Sequence, residues 1–498
     1  MKTRSNRLNN GYVGGNFLDT SQYGVLPVNK QASSNDWTRP TRPTDWLSLP
    51  SMVEGDSKIA GLVAVYPGNT GSTGITASSN FVAFTVNGNY TVNWGDGTTA
   101  SYSSGVTASK QYLWEGASAS TVTSDGFRQR VFQITPQAGA VLTRANFVAY
   151  YPGVTLHANY SSPILDLKIS GASLAGFTLP RATEQFEYVG DSNMTTCRNI
   201  FHSCYSLRRV IGTSWTKKCT DFTSMFTSCT SLQTVPLFNT IAATNFHSMF
   251  SSCSSLKTVP LFNTIAGNYF SSMFKNCTSL KTVPLFNTIA ATTFADMFNG
   301  CTSLQTVPLF NTIAATNFQN MFNGCTSLQT VPLFNTIAAT NFIGMFNKCT
   351  SLHTVPLFNT IAGTDFTSMF TSCSSLQTVP LFNTIVGNNF SSMFSSCSSL
   401  QTVPLFNTTA ATNFSTMFTN CNNLKSAALA QPSRDLVYTN CALSAAELNR
   451  IFANLKLVGA PTTGPPPVYL AHITITGNWG ANECDINIAY NKNWQVLF

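Results

Sequence analysis

A chain of 498 residues is long enough for two or three folding units. Only 9% of its residues are charged, and its net charge of +8 comes from scarce acids rather than from the basic clusters a nucleic-acid binder would carry. Ser, Thr and Asn supply the polarity instead, which suits stacked β structure, and no stretch approaches the ~18 apolar residues of a membrane span.

Residues 1–20 are polar and lack the apolar segment of a signal peptide, so synthesis in the cytosol is expected. Residues 1–50 carry Trp37 and Trp46, the basic residues Arg39 and Arg42, and Pro40, Pro43 and Pro50, which favour an extended path. Two readings stand for this arm. Trp37, Arg39, Arg42 and Trp46 dock on a neighbouring protein, or the arm packs on the β domain that follows it.

From 51 to 160 the pattern is β. Leu62–Tyr66, Phe81–Val86, Tyr90–Trp94 and Val131–Thr135 alternate as short strands, and Val86-Asn87-Gly88-Asn89-Tyr90 signals a hairpin. The run Asn93-Trp94-Gly95-Asp96-Gly97-Thr98 resembles the W-x-G-D-G-T hallmark of polycystic-kidney-disease (PKD) type β-sandwich domains. That resemblance implies an Ig-like sandwich, with Asp96 closing a turn. A calcium role for Asp96 is disfavoured, because one carboxylate falls far short of the six or more oxygens the ion takes.

The next half of the chain repeats F-x-x-M-F-x-x-C-x-x-L-x-x-V-P-L-F-N-T every 24 residues, with Cys229, Cys253, Cys277, Cys301, Cys325, Cys349, Cys373, Cys397 and Cys421 one period apart. A fixed period of this length specifies a solenoid in which each unit folds only against its neighbours. Phe246, Met249, Phe250 and Cys253 fall at i, i+3, i+4 and i+7, which predicts a helix capped by Thr244 or Asn245. Leu256-x-x-Val259-Pro260-Leu261 has the L-x-x-L-x-L spacing of a leucine-rich-repeat strand, shortened by its proline. The nine equivalent cysteines point the same way at ~4.8 Å spacing and are expected to be buried free thiols rather than disulfides or zinc ligands.

The motif M-F-x-x-C-x-x-L preceded by N-F resembles the BspA-like leucine-rich-repeat family over about residues 197–426. Ser444–Leu455 is a predicted helix with Ser444 as cap and Glu447 completing a capping box, and a closing strand follows near Ile473–Thr476. The tail resembles the C-terminal cap of such arrays in bacteriophage proteins. The expected fold class is therefore α+β multidomain. Its parts are a docking arm (1–50), a PKD-like β-sandwich (51–160), a cap with degenerate repeats (161–207), the leucine-rich-repeat solenoid (208–426) and a C-terminal cap (427–498).

Catalytic sets are not found. His157, His202, His247, His353 and His472 are scattered, Gly68–Gly74 lacks the G-K-[ST] of a phosphate loop, and Asn159 heads a glycosylation sequon that matters only on secretion. A glycosidase needs paired carboxylates, and the repeats hold almost no acids. No enzyme activity, cofactor or metal is expected. The recurring Phe238, Phe262, Phe286, Phe310, Phe334, Phe358, Phe382 and Phe406 form either a stacked internal spine or an exposed aromatic ladder for a repetitive polymer such as a glycan. The family resemblance implies a bacteriophage virion structural protein, joined to other virion proteins through its arm and projecting the rod toward a host glycan or protein. It implies no nucleic acid and no membrane insertion, and it is compatible with a homo-oligomer. The alternative is a bacterial cell-surface adhesin of the BspA-like family.

Overall fold

The computed structural model describes residues 42–67, 80–148, 161–459 and 469–498. Trp37, Arg39, Gly68–Gly74, His157 and Asn159 lie outside the described residues.

Alternating apolar residues fold the first part into two facing sheets. The larger is built on β1 (Lys58–Val65), whose run KIAGLVAV is buried at every position after the first. Such a strand needs cover on both faces. One face joins Phe84 and Phe132 in the main core; on the other, Leu62 and Ala64 pack with Trp46, Phe127 and Leu165. β1 pairs antiparallel with β6 (Arg128–Pro136), which pairs with β3 (Tyr90–Asn93), and β3 with β4 (Thr99–Tyr102). The facing sheet has the order β5 (Thr107–Gln111), β2 (Phe81–Asn87), β7 (Arg144–Asn146) and β9 (Phe177–Thr178).

The predicted hairpin at Asn87-Gly88 is not one. β2 and β3 belong to different sheets, and the turn carries the chain from one to the other. Gly88 has φ +106°, and a Cβ there would meet the Val141 carbonyl oxygen at 2.2 Å, so the corner needs glycine.

The larger sheet does not end at residue 160. β8 (Ile164–Ser170) adds to β1 antiparallel, and on its other edge pairs parallel with β10 (Gln185–Val189), which pairs parallel with β11 (Arg209–Ile211). β8 is thus where an antiparallel sheet becomes the first level of a parallel coil. Among the described residues, one core runs from Ile59 to Val496 without a break.

The expectation of an α+β multidomain is overturned. Among the described residues the α-helices are α1 (Ala445–Asn454) and α2 (Asn487–Tyr490), both beyond the repeats, and the array is a β-solenoid. In the coil that starts at Phe246, the N–H groups of Phe246, Ser248, Phe250 and Ser252 donate to the carbonyls of Tyr269, Ser271, Met273 and Lys275 in the next coil at 2.6–3.0 Å. The N–H groups between them, of Met249, Ser251 and Cys253, return three residues to Phe246, Ser248 and Phe250 at 3.0–3.2 Å. A helix would send every one of these groups four residues back. Ser248 and Ser252 have φ of +54° and +61°, which ends any right-handed helix. Spacing at i, i+3, i+4, i+7 is met here by consecutive four-residue turns.

The predicted strand is also replaced. Pro260 has no N–H to give, and its carbonyl accepts the N–H of Phe262 at 3.0 Å, a tight three-residue turn repeated in later coils. Backbone bonds such as Lys257 N–H to the Gln233 carbonyl at 2.9 Å tie this side of the coil to its neighbour. The far end closes with β12 (Leu436–Val437), β13 (Ala471–Thr474) and β14 (Trp494–Leu497), a three-stranded parallel sheet. Ser444 caps α1 as predicted, accepting the Glu447 N–H at 3.3 Å. Glu447 instead turns toward the end of the array to accept the Ala427 N–H at 3.0 Å and the Arg450 guanidinium.

Candidate binding surface

The inside of each coil is set by three columns of aromatic rings. Phe226, Phe250, Phe274 and Phe298 stack at 5.5–5.7 Å and within 6° of parallel. Phe246 and its equivalents form a second column, and Phe238, Phe262 and Phe286, at 6.4 Å, a third. That third column comprises the candidate ligand face. Its eight rings, from Phe238 to Phe406, are at most 2% exposed, so the aromatic-ladder reading fails on access and the rings are the internal spine.

The cysteines fill the space beside these columns. Cys253 donates to the Phe226 carbonyl at 3.0 Å, and Cys277, Cys301, Cys325, Cys349, Cys373, Cys397 and Cys421 repeat the bond along the rod. Burial pushes the thiols up, Cys301 to about 12, so they are neutral and unreactive. Cys197 and Cys219 form a disulfide between the neighbouring coils that follow β10 and β11.

The outside is built by the turn at Pro260. Because Phe262 turns inward, Leu261 is thrown out. Asn263 then accepts the Ile265 N–H through Oδ1 at 3.2 Å, and Thr264 donates through Oγ1 to the Asn287 carbonyl at 2.8 Å, leaving Ile265 outside as well. Repetition makes two parallel rows, leucines from Leu237 to Leu405 and isoleucines from Ile241 to Ile385, with exposed asparagines between them. Each of these leucines and isoleucines is 47–60% exposed. The rows stop where Thr213 stands one period before Leu237, and where Thr409 takes the isoleucine position.

The other predicted site residues do not gather. Trp46 is buried against β1, and Arg42 donates to Asp166 Oδ2 at 2.8 Å and to the Trp46 carbonyl at 2.9 Å. These two hold residues 42–46 to the chain's own sandwich, as the second reading of the arm expects for this stretch. Asp96 accepts from the Thr98 N–H at 3.0 Å and pairs with Lys110 at 2.6 Å. Burial raises its carboxyl, but the bonds from Lys110 and Thr98 outweigh this and hold it at about 2. It is a turn residue. His247 and His353 are exposed. No group of three or more His, Cys, Asp or Glu that could hold a metal occurs among the described residues, and no helix among them is long and apolar enough to cross a membrane.

A parallel coil of 24 residues with a leucine-containing repeat and an aromatic spine defines a leucine-rich-repeat type solenoid protein. The model of one family, described as "Mycoplasma protein of unknown function, DUF285", matches residues 181–283, 268–378 and 316–431, together half of the chain. The chain belongs to this family. Among solved structures it is similar to a leucine-rich repeat protein from Bacteroides ovatus, at 16% identity over 62% of this chain and 85% of that one, with a TM-score of 0.32. It is similar also to a leucine-rich repeat protein from Eubacterium ventriosum, at 16% identity over 53% of this chain and 86% of that one, TM-score 0.31. A third similarity is to a leucine-rich repeat protein of T. pallidum, at 16% identity over 52% and 84%, TM-score 0.16. No curated protein matches in sequence.

Proposed function

We propose that this is a non-enzymatic structural protein that projects a recognition rod from a β-sandwich base, and that its setting is a bacteriophage particle. The observation that carries the reading is the joint. β8 belongs at once to the sandwich, through β1, and to the coil, through β10, so base and rod share one sheet and one core. A projecting element that must transmit force to its anchor needs such a joint rather than a flexible linker. The resemblance of Asn93–Thr98 to PKD-type sandwiches, and of the tail to caps in bacteriophage proteins, supports the particle as the setting. Trp37 and Arg39 remain the docking residues proposed for virion partners. Mass spectrometry of purified particles tests the reading: the chain should be present in fixed stoichiometry, and deletion of residues 1–41 should abolish incorporation while the remainder folds. Absence of the intact chain from particles would end it.

A second reading, a bacterial cell-surface adhesin, is favoured by one observation. The Cys197–Cys219 disulfide suits an oxidising exterior better than a reducing cytosol. Detection of the chain on uninfected bacteria would select this reading over the first.

A further inference from the structure

We propose that the leucine and isoleucine rows are the interface through which two copies of this chain pair along their repeat arrays. The proposal is independent of where the protein is displayed.

Among the described residues, eight leucines and seven isoleucines stand half exposed on adjoining rows of one face. At roughly 100 Å² each they present on the order of 1,500 Å² of apolar surface, about twice the ~800 Å² per partner of a standard interface. Monomeric soluble proteins rarely expose an apolar patch beyond ~600 Å². The rows end in polar residues, Thr213 before the first leucine and Thr409 after the last isoleucine, so the patch is rimmed as interfaces are. Burial inside the coil does not explain leucine or isoleucine at these positions: the interior is already filled by the Phe columns, and Thr409 is accepted outside in the last coil.

Period decides the partner. Neighbouring levels stand ~4.8 Å apart, and a partner whose side chains keep step with that spacing over seven levels is another copy of the array. A two-fold axis in the plane of the face apposes apolar rows in either sense. With the rods parallel, leucines meet isoleucines; with the rods antiparallel, leucines meet leucines. The asparagine row lies between them in both, where Asn263 and its equivalents supply polar groups that penalise a slip of half a level. The scarcity of charge in the array removes the repulsion that two stacked basic or acidic faces would create. A glycan would find aliphatic rows here rather than aromatic platforms.

Sedimentation of the full chain at roughly 50 μM, above the micromolar end of the affinities such areas give, should show a dimer. The variant L285K/L309K/L333K places charges at the centre of the interface and should sediment as a monomer with the circular dichroism spectrum of the parent, since all three side chains reach water in the single chain, and its thermal midpoint should lose any dependence on concentration that the parent shows. If the lysines disturb folding, L285S/L309S/L333S is read in the same way. A parent chain that is monomeric at this concentration would overturn the proposal, as would variants that fold and remain dimeric. Flotation of a monomeric parent chain with phosphatidylcholine vesicles would assign the rows to a lipid surface instead.

Discussion

Replacing Gly324 by Ala separates the turn-built coil from the helix that its spacing suggests, because the two give opposite signs. Gly324 precedes Cys325 and has φ +73°. Were residues 318–325 helical, alanine would stabilise the array by about 1 kcal/mol. In the coil, alanine is forced into the left-handed region, which costs roughly 1–2 kcal/mol. Space adds nothing at this site: the nearest heavy atom to a Cβ would be the Gly300 Cα at 3.6 Å. Gly300 is the sterner case, since its Cβ would lie 2.3 Å from Asn276 Oδ1 and the amide must move as well. Gly324→Asn should be nearly neutral, because Asn visits this region readily. Urea denaturation followed by circular dichroism, with hydrogen exchange of residues 318–330 as the local readout, should rank the proteins as parent close to Gly324→Asn, then Gly324→Ala, then Gly300→Ala. A higher urea midpoint for Gly324→Ala than for the parent would refute the assignment of these turns.

Three further outcomes follow from the same geometry. Arg42→Ala leaves the buried Asp166 carboxylate without its cation and should cost about 3–5 kcal/mol, most of it recovered in the double variant Arg42→Ala/Asp166→Asn; a double-mutant cycle on urea midpoints measures the coupling. The buried thiols, raised by burial with Cys301 at about 12 against 9.0 in the unfolded chain, keep protons that the unfolded chain gives up. Their contribution to stability is therefore complete below pH 9 and is lost as pH rises toward the folded values, by up to ~1.4 kcal/mol per pH unit for each thiol; urea midpoints at about pH 8 and about pH 10.5 should show the drop, and a flat profile would contradict it. Deleting one full period, Phe294–Asn317, should leave a folded array with unchanged ends, whereas deleting half of it should not; proteolysis resistance distinguishes the two.

The period was legible because identical residues recur, and so was the burial of the Phe, Met and Cys positions, which both a helix and a turn-built coil place inside. The helix itself was misread for a physical reason: four-residue turns and a 3.6-residue helix put nearly the same residues on one face. A signal was present. The positions before each Met and each Cys are Ser248 and Ser252 in one coil, then Ser272 and Asn276, Asp296 and Gly300, Asn320 and Gly324, Gly344 and Lys348. Ser, Asn, Asp and Gly concentrate there because each tolerates or locally satisfies a left-handed backbone, and no helix asks for them at that spacing. The outward rows were hidden by the leucine-rich-repeat strand template, which counts Leu261 as core. Pro260 was the clue, since a residue that cannot donate to a ladder ends the alternation and exchanges the faces of Leu261 and Phe262. The continuation of the sandwich into the coil had no local signature: Ile164–Ser170 reads as one strand, and only its two partners show that it serves both.

Near-identity of the coils creates a problem that the ends of the array solve. If one coil can replace another, a chain folding from its middle can dock coil n against coil n+2, looping one out, with almost the same contacts. The interior of the rod offers no means of refusing this, because the stacked Phe columns, the thiol bonds and the Thr264-type bonds are the same at every level. Register has to be set where the sequence is unique. At the start, β10 pairs residue for residue with β8, Phe186 against Leu167, and the Cys197–Cys219 disulfide closes the next turn. At the finish, Tyr438 stacks on Phe418 at 4.9 Å and its hydroxyl donates to the Ala427 carbonyl, so the last coil accepts one cap and no other. The same logic places Thr213 and Thr409 where the outer rows end. An apolar face that repeats without limit would let neighbouring rods slide past one another by whole levels, and a face of fixed length bounded by polar residues buries the most surface in a single alignment.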